Sequence, residues 1–218
     1  MDNKKIILLT HEYPPKRGGA GVYCEELVFA ARKIKFSIEA WVPHYAEKEV
    51  RIHNLMGSQA WICSYRLFRK ILKSSPSFIS STLLHFAEPG SLRAMIRFGW
   101  IFKEIPSFIV TIHGTELIRF CKNPLEKILF RKLLKRAKKI HVLSRYNQIE
   151  LQKICPEIKD RILLCPGAPA RNLASNDAKT ENSENQVTKL LCVARIHPRK
   201  GQDQVLKAIE NLPSNLKK

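Results

Sequence analysis

The chain is short of acid. Of 218 residues, 19 are Asp or Glu against 38 Lys or Arg, a formal net charge of +19, and only Asp2, Asp160, Asp177 and Asp203 are aspartates. No Asp-x-Asp pair occurs, so a metal held by carboxylates on a diphosphate is not indicated, and no metal is expected. Cysteine is present but never paired as Cys-x-x-Cys: Cys24, Cys63, Cys121, Cys155, Cys165 and Cys192 are scattered. That argues against a zinc site and, at this length, against a disulfide scaffold. The six read as buried thiols in a reducing compartment. Long apolar runs are missing too. Residues 6–9 are too short for a signal-peptide core, and the most apolar stretch, 98–118, is broken by Lys103, Glu104 and Pro106. A cytoplasmic protein, soluble or peripheral on the inner face of the plasma membrane, is expected.

With 44% apolar and 26% charged residues the composition is globular, and the length predicts about one and a half domains. Residues 6–10 form a continuous apolar run, as a strand buried on both faces does. Residues 11–19 read as a loop with Pro14-Pro15 and Gly18-Gly19, 20–35 as an amphipathic helix, and 38–42 as a second strand. The alternation continues with a basic helix over 61–73, a strand over 78–86, and a helix over 91–103. A strand over 108–112, a helix over 124–138, a strand over 140–143, a helix over 146–154 and a strand over 161–165 follow. Strands alternating with helices predict an α/β fold, a parallel sheet with helices on both faces. Residues 168–187 are polar and read as a linker. A strand over 189–194 and a helix over 202–212 follow, the first βα unit of something further. The domains expected are therefore 1–167, a linker 168–187, and an incomplete 188–218.

Three segments carry candidate chemistry. Gly18-Gly19-Ala20-Gly21 follows the first strand and opens a helix. Glycines let backbone approach a ligand, and the helix start offers free N–H groups to a phosphate; a plain strand-to-helix turn uses the same residues. Arg195-Ile196-His197-Pro198-Arg199-Lys200-Gly201 puts cations in a loop where a diphosphate could be neutralised, or where they are simply solvated. His113, followed by Gly114 and Glu116, sits just past a strand, where open α/β sheets keep their ligands. A satisfied structural histidine is the other reading, and it is the one favoured for His85.

Taken together these motifs resemble glycosyltransferase family 4, the retaining enzymes built from two Rossmann-like domains. Glu12 to Tyr23 looks like the family's opening glycine loop, and Val110-Thr111-Ile112-His113-Gly114 like its central strand and histidine. His141-Val142-Leu143-Ser144 resembles the following strand, and Leu164-Cys165-Pro166-Gly167 the step into the interdomain linker, with Pro166 where Asn is usual. Leu191-Cys192-Val193-Ala194-Arg195 with Arg199-Lys200-Gly201 resembles the entry to the donor domain, with Ala194 where Gly is usual. The resemblance implies an N-terminal acceptor domain facing a donor domain that binds a nucleotide-diphosphate sugar. Gly18, Gly19, Arg195 and Lys200 would meet the donor diphosphate, and His113, the catalytic candidate, would line the sugar pocket. Glu12, Tyr13 and Glu116 are candidates on the acceptor side. The expected function is transfer of a sugar to a cell-surface glycan or lipid-linked acceptor, with a nucleotide sugar as substrate and no cofactor. The family's Glu-x7-Glu motif of the donor domain is not found after residue 188, so the chain is expected to be truncated early in that domain. The alternatives are a non-catalytic acceptor-binding module, a subunit working with a separate donor-domain chain, or an inactive gene remnant.

The excess positive charge is densest over residues 111–160, with 12 Lys or Arg against 5 Asp or Glu. Arg131, Lys132, Lys135, Arg136, Lys138 and Lys139 fall within about 160° of a helix at ~100° per residue, with Leu129, Phe130, Leu133 and Leu134 opposite. A solvated outer face accounts for this. So does an anionic membrane surface, for which Arg131, Lys132, Lys135, Arg136 and Lys139 are the membrane-facing candidates. Nucleic acid is not expected as a partner, since no aromatic-basic stripe or zinc motif accompanies the charge.

Overall fold

The computed structural model describes residues 5–15, 18–43, 52–56, 73, 75–99, 104–168, 190–194, 196 and 198–213. The chain divides into two compact units, Met1–Ser175 and Asn176–Lys218.

The first unit is an α/β fold on a seven-stranded sheet. Its strands are β1 (Lys5–Leu9), β2 (Ile38–Pro43), β3 (Ile52–Met56), β4 (Thr82–Phe86), β5 (Ser107–Ile112), β6 (Lys139–Val142) and β7 (Ile162–Leu164). Every pairing is parallel, in the order β3-β2-β1-β4-β5-β6-β7. The helices described are α1 (Gly19–Lys33), α2 (Pro76–Ser81), α3 (Pro89–Phe98), α4 (Thr115–Cys121), α5 (Pro124–Arg136) and α6 (Arg145–Ile154).

The pleat of β1 explains why its sequence is apolar throughout. Ile7 and Leu9 enter one core with Phe86, Leu92, Phe108, Phe130 and Leu134. Leu8 enters the other, with Cys24 and Val28 of α1 and with Ile38, Ala40 and Val42. Successive side chains point to opposite faces, so a strand covered on both sides needs an unbroken apolar run. Helices therefore cover both faces, as the alternation predicts.

Some expectations are corrected. The apolar run over 78–86 is not one strand: Ser75 caps α2 by accepting from the Phe78 N–H at 3.2 Å, and the strand starts only at Thr82. Pro76 at the first helical position is pre-set for a helix. Strand β3 and helix α4 were not anticipated. The basic helix expected over 61–73 lies outside the described residues except for residue 73. Of the thiols, Cys24 and Cys155 are buried, Cys121 is half-buried, and Cys165 and Cys192 are exposed; Cys63 lies outside the described residues.

In the second unit a short 3-10 turn, Pro198–Lys200, leads into α7 (Gln202–Glu210). The strand expected over 189–194 is not formed among the described residues 190–194. A strand needs a neighbouring ladder to satisfy its N–H and C=O groups, and no other strand is described in this unit. Leu190, Leu191, Cys192, Val205, Leu206 and Ile209 instead line a cleft of about 500 Å³.

Candidate functional site

The strand order reverses between β1 and β4, and parallel sheets place ligands at the carboxyl ends beside such a reversal. Four elements leave the sheet here: the 10–18 loop after β1, the 87–88 turn after β4, the 113–114 turn after β5 and the 143–144 turn after β6.

The described start of the loop after β1 is held by Thr10 and by the approach of α1. Thr10 Oγ1 donates to the Glu12 carbonyl at 2.6 Å and accepts from the Glu12 N–H at 3.0 Å. Helix α1 then starts at Gly19 with Gly18 as its cap and no side chain capping it. A Cβ at Gly21 would lie 3.3 Å from the backbone of Glu12 and Tyr13, tighter than an ordinary contact, so a larger residue would have to push this loop back by a few tenths of an ångström. A Cβ at Gly19 would meet nothing within 4 Å, and Gly19 is exposed. The Gly18-Gly19 step therefore presents an open helix start, with its N–H groups and positive dipole end, at the reversal point. The Glu12 carboxylate lies against Gly18, its Oε2 2.9 Å from where a Cβ there would stand. An anion at the helix start would meet that carboxylate as well as the free N–H groups.

Glu88, at the exit of β4, is fully buried and caps α3. It accepts from the His11 N–H at 3.0 Å, from the Gly90 and Ser91 N–H groups, and contacts His11 Nδ1 at 3.2 Å. Burial raises its pKa, but the hydrogen bond and charge of His11 and the backbone donors outweigh this and hold the carboxyl below its ordinary value. Sequence reasoning missed Glu88. Its signal was Pro89, pre-set for the first position of a helix, directly after an acid.

His113 lies just past β5, half-buried. Its Nε2 is 2.9 Å from the Ala87 carbonyl, and its ring stands edge-on to Tyr23 of α1, centroids 5.2 Å apart. Gly114 has φ of +120°, a conformation glycine adopts freely, and it turns the chain into α4. Both oxygens of the buried Glu116 close this turn, accepting from the His113 N–H at 2.9 Å and the Gly114 N–H at 2.8 Å.

A polar network lies alongside. His85 Nε2 is 2.8 Å from Thr111 Oγ1, which lies 3.4 Å from His141 Nδ1 and 3.5 Å from Tyr23 Oη. Tyr23 Oη is 3.1 Å from His141 Nδ1, and His141 Nε2 is 2.8 Å from the Cys165 carbonyl. Burial, then the neighbouring His141 and His113, lower the His85 pKa to about 3, so it stays neutral. Burial raises the Tyr23 pKa. Tyr23 and His141 were quoted in motifs but given no role by the sequence.

The sequence candidates are thus distributed as follows. Gly18, Gly19, Glu12 and His113 lie at the carboxyl edge of the sheet. Of the other acceptor-side candidates, Glu116 is buried with both oxygens on its own turn, and Tyr13, 2% exposed, packs in the core under α1. Lys200 is exposed in the second unit, and Arg195 lies outside the described residues. Of the basic set, Arg131 and Lys135 both pair with Glu157, at 3.2 and 2.6 Å. Lys135 is the main reason that Glu157 titrates down at about 2. Lys132, Arg136 and Lys139 are exposed. Lys132, Lys135 and Arg136 also rim a cleft of about 450 Å³ floored by Met95, Ile96, Leu129 and Leu133. Among the described residues no group of three His, Cys, Asp or Glu could hold a metal, and no helix is long and apolar enough to cross a membrane. No protein-family model matches the chain, and no curated protein matches it.

Proposed function

We propose that the chain carries the acceptor-side domain of a retaining sugar transferase, which moves a sugar from a nucleotide-diphosphate donor to a surface-glycan or lipid-linked acceptor. One observation carries the reading. An uncapped helix start at Gly18-Gly19 and a half-buried His113 share the reversal point of a parallel sheet, bridged by Tyr23. Cleavage of the sugar–diphosphate bond leaves negative charge on a phosphate oxygen. Free helix N–H groups and a positive dipole end stabilise such charge without reorganising.

Calorimetry with uridine, guanosine and adenosine diphosphates and their sugar esters tests this on the whole chain. One of them is expected to bind, and Gly19→Glu is expected to weaken it at least tenfold. The open space at Gly19 accepts the side chain, and an acid there suits the helix dipole, so the loss would report repulsion of the ligand rather than unfolding. Absence of binding at millimolar concentrations of every nucleotide would defeat the reading. A second reading, a subunit that works with a separate donor-domain chain, is favoured by the exposure of Leu191, Val193 and Leu206. Turnover by this chain alone would remove it.

We also place the protein at an anionic membrane surface through Lys132, Arg136 and Lys139, at roughly 1 kcal/mol per basic residue near the lipid. Flotation at low salt is expected to recover more protein with anionic than with neutral vesicles; equal recovery would remove this part of the proposal.

A further inference from the structure

Three half-buried rings, Tyr23 from α1, His113 after β5 and His141 of β6, meet beside the buried Thr111 and His85. Their hydrogen-bond partners assign the protons. The Ala87 and Cys165 carbonyls can only accept, so His113 and His141 each donate from Nε2. In the neutral form each ring then has a lone pair on Nδ1. The donor to His141 Nδ1 is the Tyr23 hydroxyl at 3.1 Å, closer than the Thr111 hydroxyl at 3.4 Å. Thr111 is held at 2.8 Å by His85. Tyr23 thus makes contacts of two kinds: its ring against His113 and stacked on His141, and its hydroxyl on His141 and, more distantly, Thr111. A phenylalanine here would keep the first and lose the second.

We propose that Tyr23 is a positioning residue that locks His141 in the Nε2–H form and His113 in orientation, so that the start of α1 and the turn after β5 act on a ligand as one rigid body. This rests on the reading of the preceding section, in which Gly18-Gly19 meets the diphosphate and His113 the sugar. That reading gives Tyr23 itself no ligand contact. It sits one turn into α1, four residues beyond Gly19, and ties that helix to the exits of β5 and β6. His141 in turn holds the Cys165 carbonyl just after β7, so the tie extends to the last strand of the sheet.

The test uses the whole chain labelled with nitrogen-15. Long-range proton–nitrogen correlation is expected to show His113 and His141 bonded to hydrogen at Nε2. In Tyr23→Phe the His141 Nδ1 resonance is expected to move while His113 stays. In Tyr23→Leu both are expected to move. Affinity for the nucleotide sugar that the wild type binds is expected to fall about 3- to 10-fold in Tyr23→Phe, the range of one net hydrogen bond. The thermal midpoint is expected to stay within a few degrees. An unmoved His141 resonance in Tyr23→Phe overturns the proposal, and so does unchanged affinity when the imidazoles have moved. If the wild type binds no nucleotide or nucleotide sugar, the preceding reading fails and takes this one with it. That failure is recognisable because it precedes any substitution.

Discussion

Replacing Glu88 by alanine is expected to destabilise the first unit by about 3 kcal/mol or more, because three donors lose one buried acceptor. The His11, Gly90 and Ser91 N–H groups all end on this carboxylate, which has no solvent exposure. Each buried N–H left unpaired costs about 1–3 kcal/mol, and breaking a buried charged pair costs roughly 3–5 kcal/mol. The cap of α3 goes with it, on the order of 1 kcal/mol and not simply additive. For a unit of this size about 3 kcal/mol is a fall of roughly 6 to 12 °C in thermal midpoint. Glu88→Gln keeps the shape and one acceptor and should lie between. Urea denaturation of the whole chain measures both, and a loss under 1 kcal/mol for the alanine variant would mean that water replaces the carboxylate at little cost.

Acid should destabilise the protein well before its carboxylates titrate, through His85. With a folded pKa of about 3 and an unfolded value near 6.5, the unfolded chain binds a proton that the folded chain refuses. The stability His85 contributes is complete above about pH 6.5 and is lost as pH falls towards 3. By pH 5 the loss is about 2 kcal/mol relative to pH 8. Glu88 adds a loss of the same sign at lower pH, since its pKa too is held below the ordinary value. His85→Gln should be less stable at pH 8, where its imidazole hydrogen bond to Thr111 is replaced, but should show a flatter slope between pH 8 and pH 5. A wild-type slope equal to that of the variant would place the charge of His85 in contact with water.

The fold was legible in the sequence where burial forces a pattern. The short apolar runs at β1 and β5, each followed by turn residues, read as strands covered on both faces, and α1 and α5 carry apolar stripes wide enough to read. Legibility failed where one residue decides. Phe78 and Ile79 look continuous with Leu83 and Leu84, and only Ser75 and Pro76 reveal that a helix comes first. At the candidate site, Gly18-Gly19 and His113 stood out because glycine loops and strand-end histidines are local signals. Glu88 and Glu116 were illegible as to role: whether an acid faces a ligand or its own backbone depends on the turn it sits in, and both face backbone. Tyr23 was hidden for a different reason. Its partners, Thr111 and His141, lie 88 and 118 residues away, and nothing local marks a hydroxyl that needs them.

The position of β1 has a consequence for how the chain is made. This strand lies inside the sheet, between β2 and β4, with Ile7, Leu8 and Leu9 fully buried. Its partner in the register Lys5↔Thr82 is synthesised far behind it, and its exit is sealed by the His11–Glu88 contact, 77 residues apart. At roughly 5–20 residues per second on a ribosome, β1 waits about 4–15 s before that neighbour emerges. Until then its second edge is a bare apolar template of the kind on which chains aggregate. A chaperone that shields residues 5–9 over that interval would protect the central pairing of the sheet.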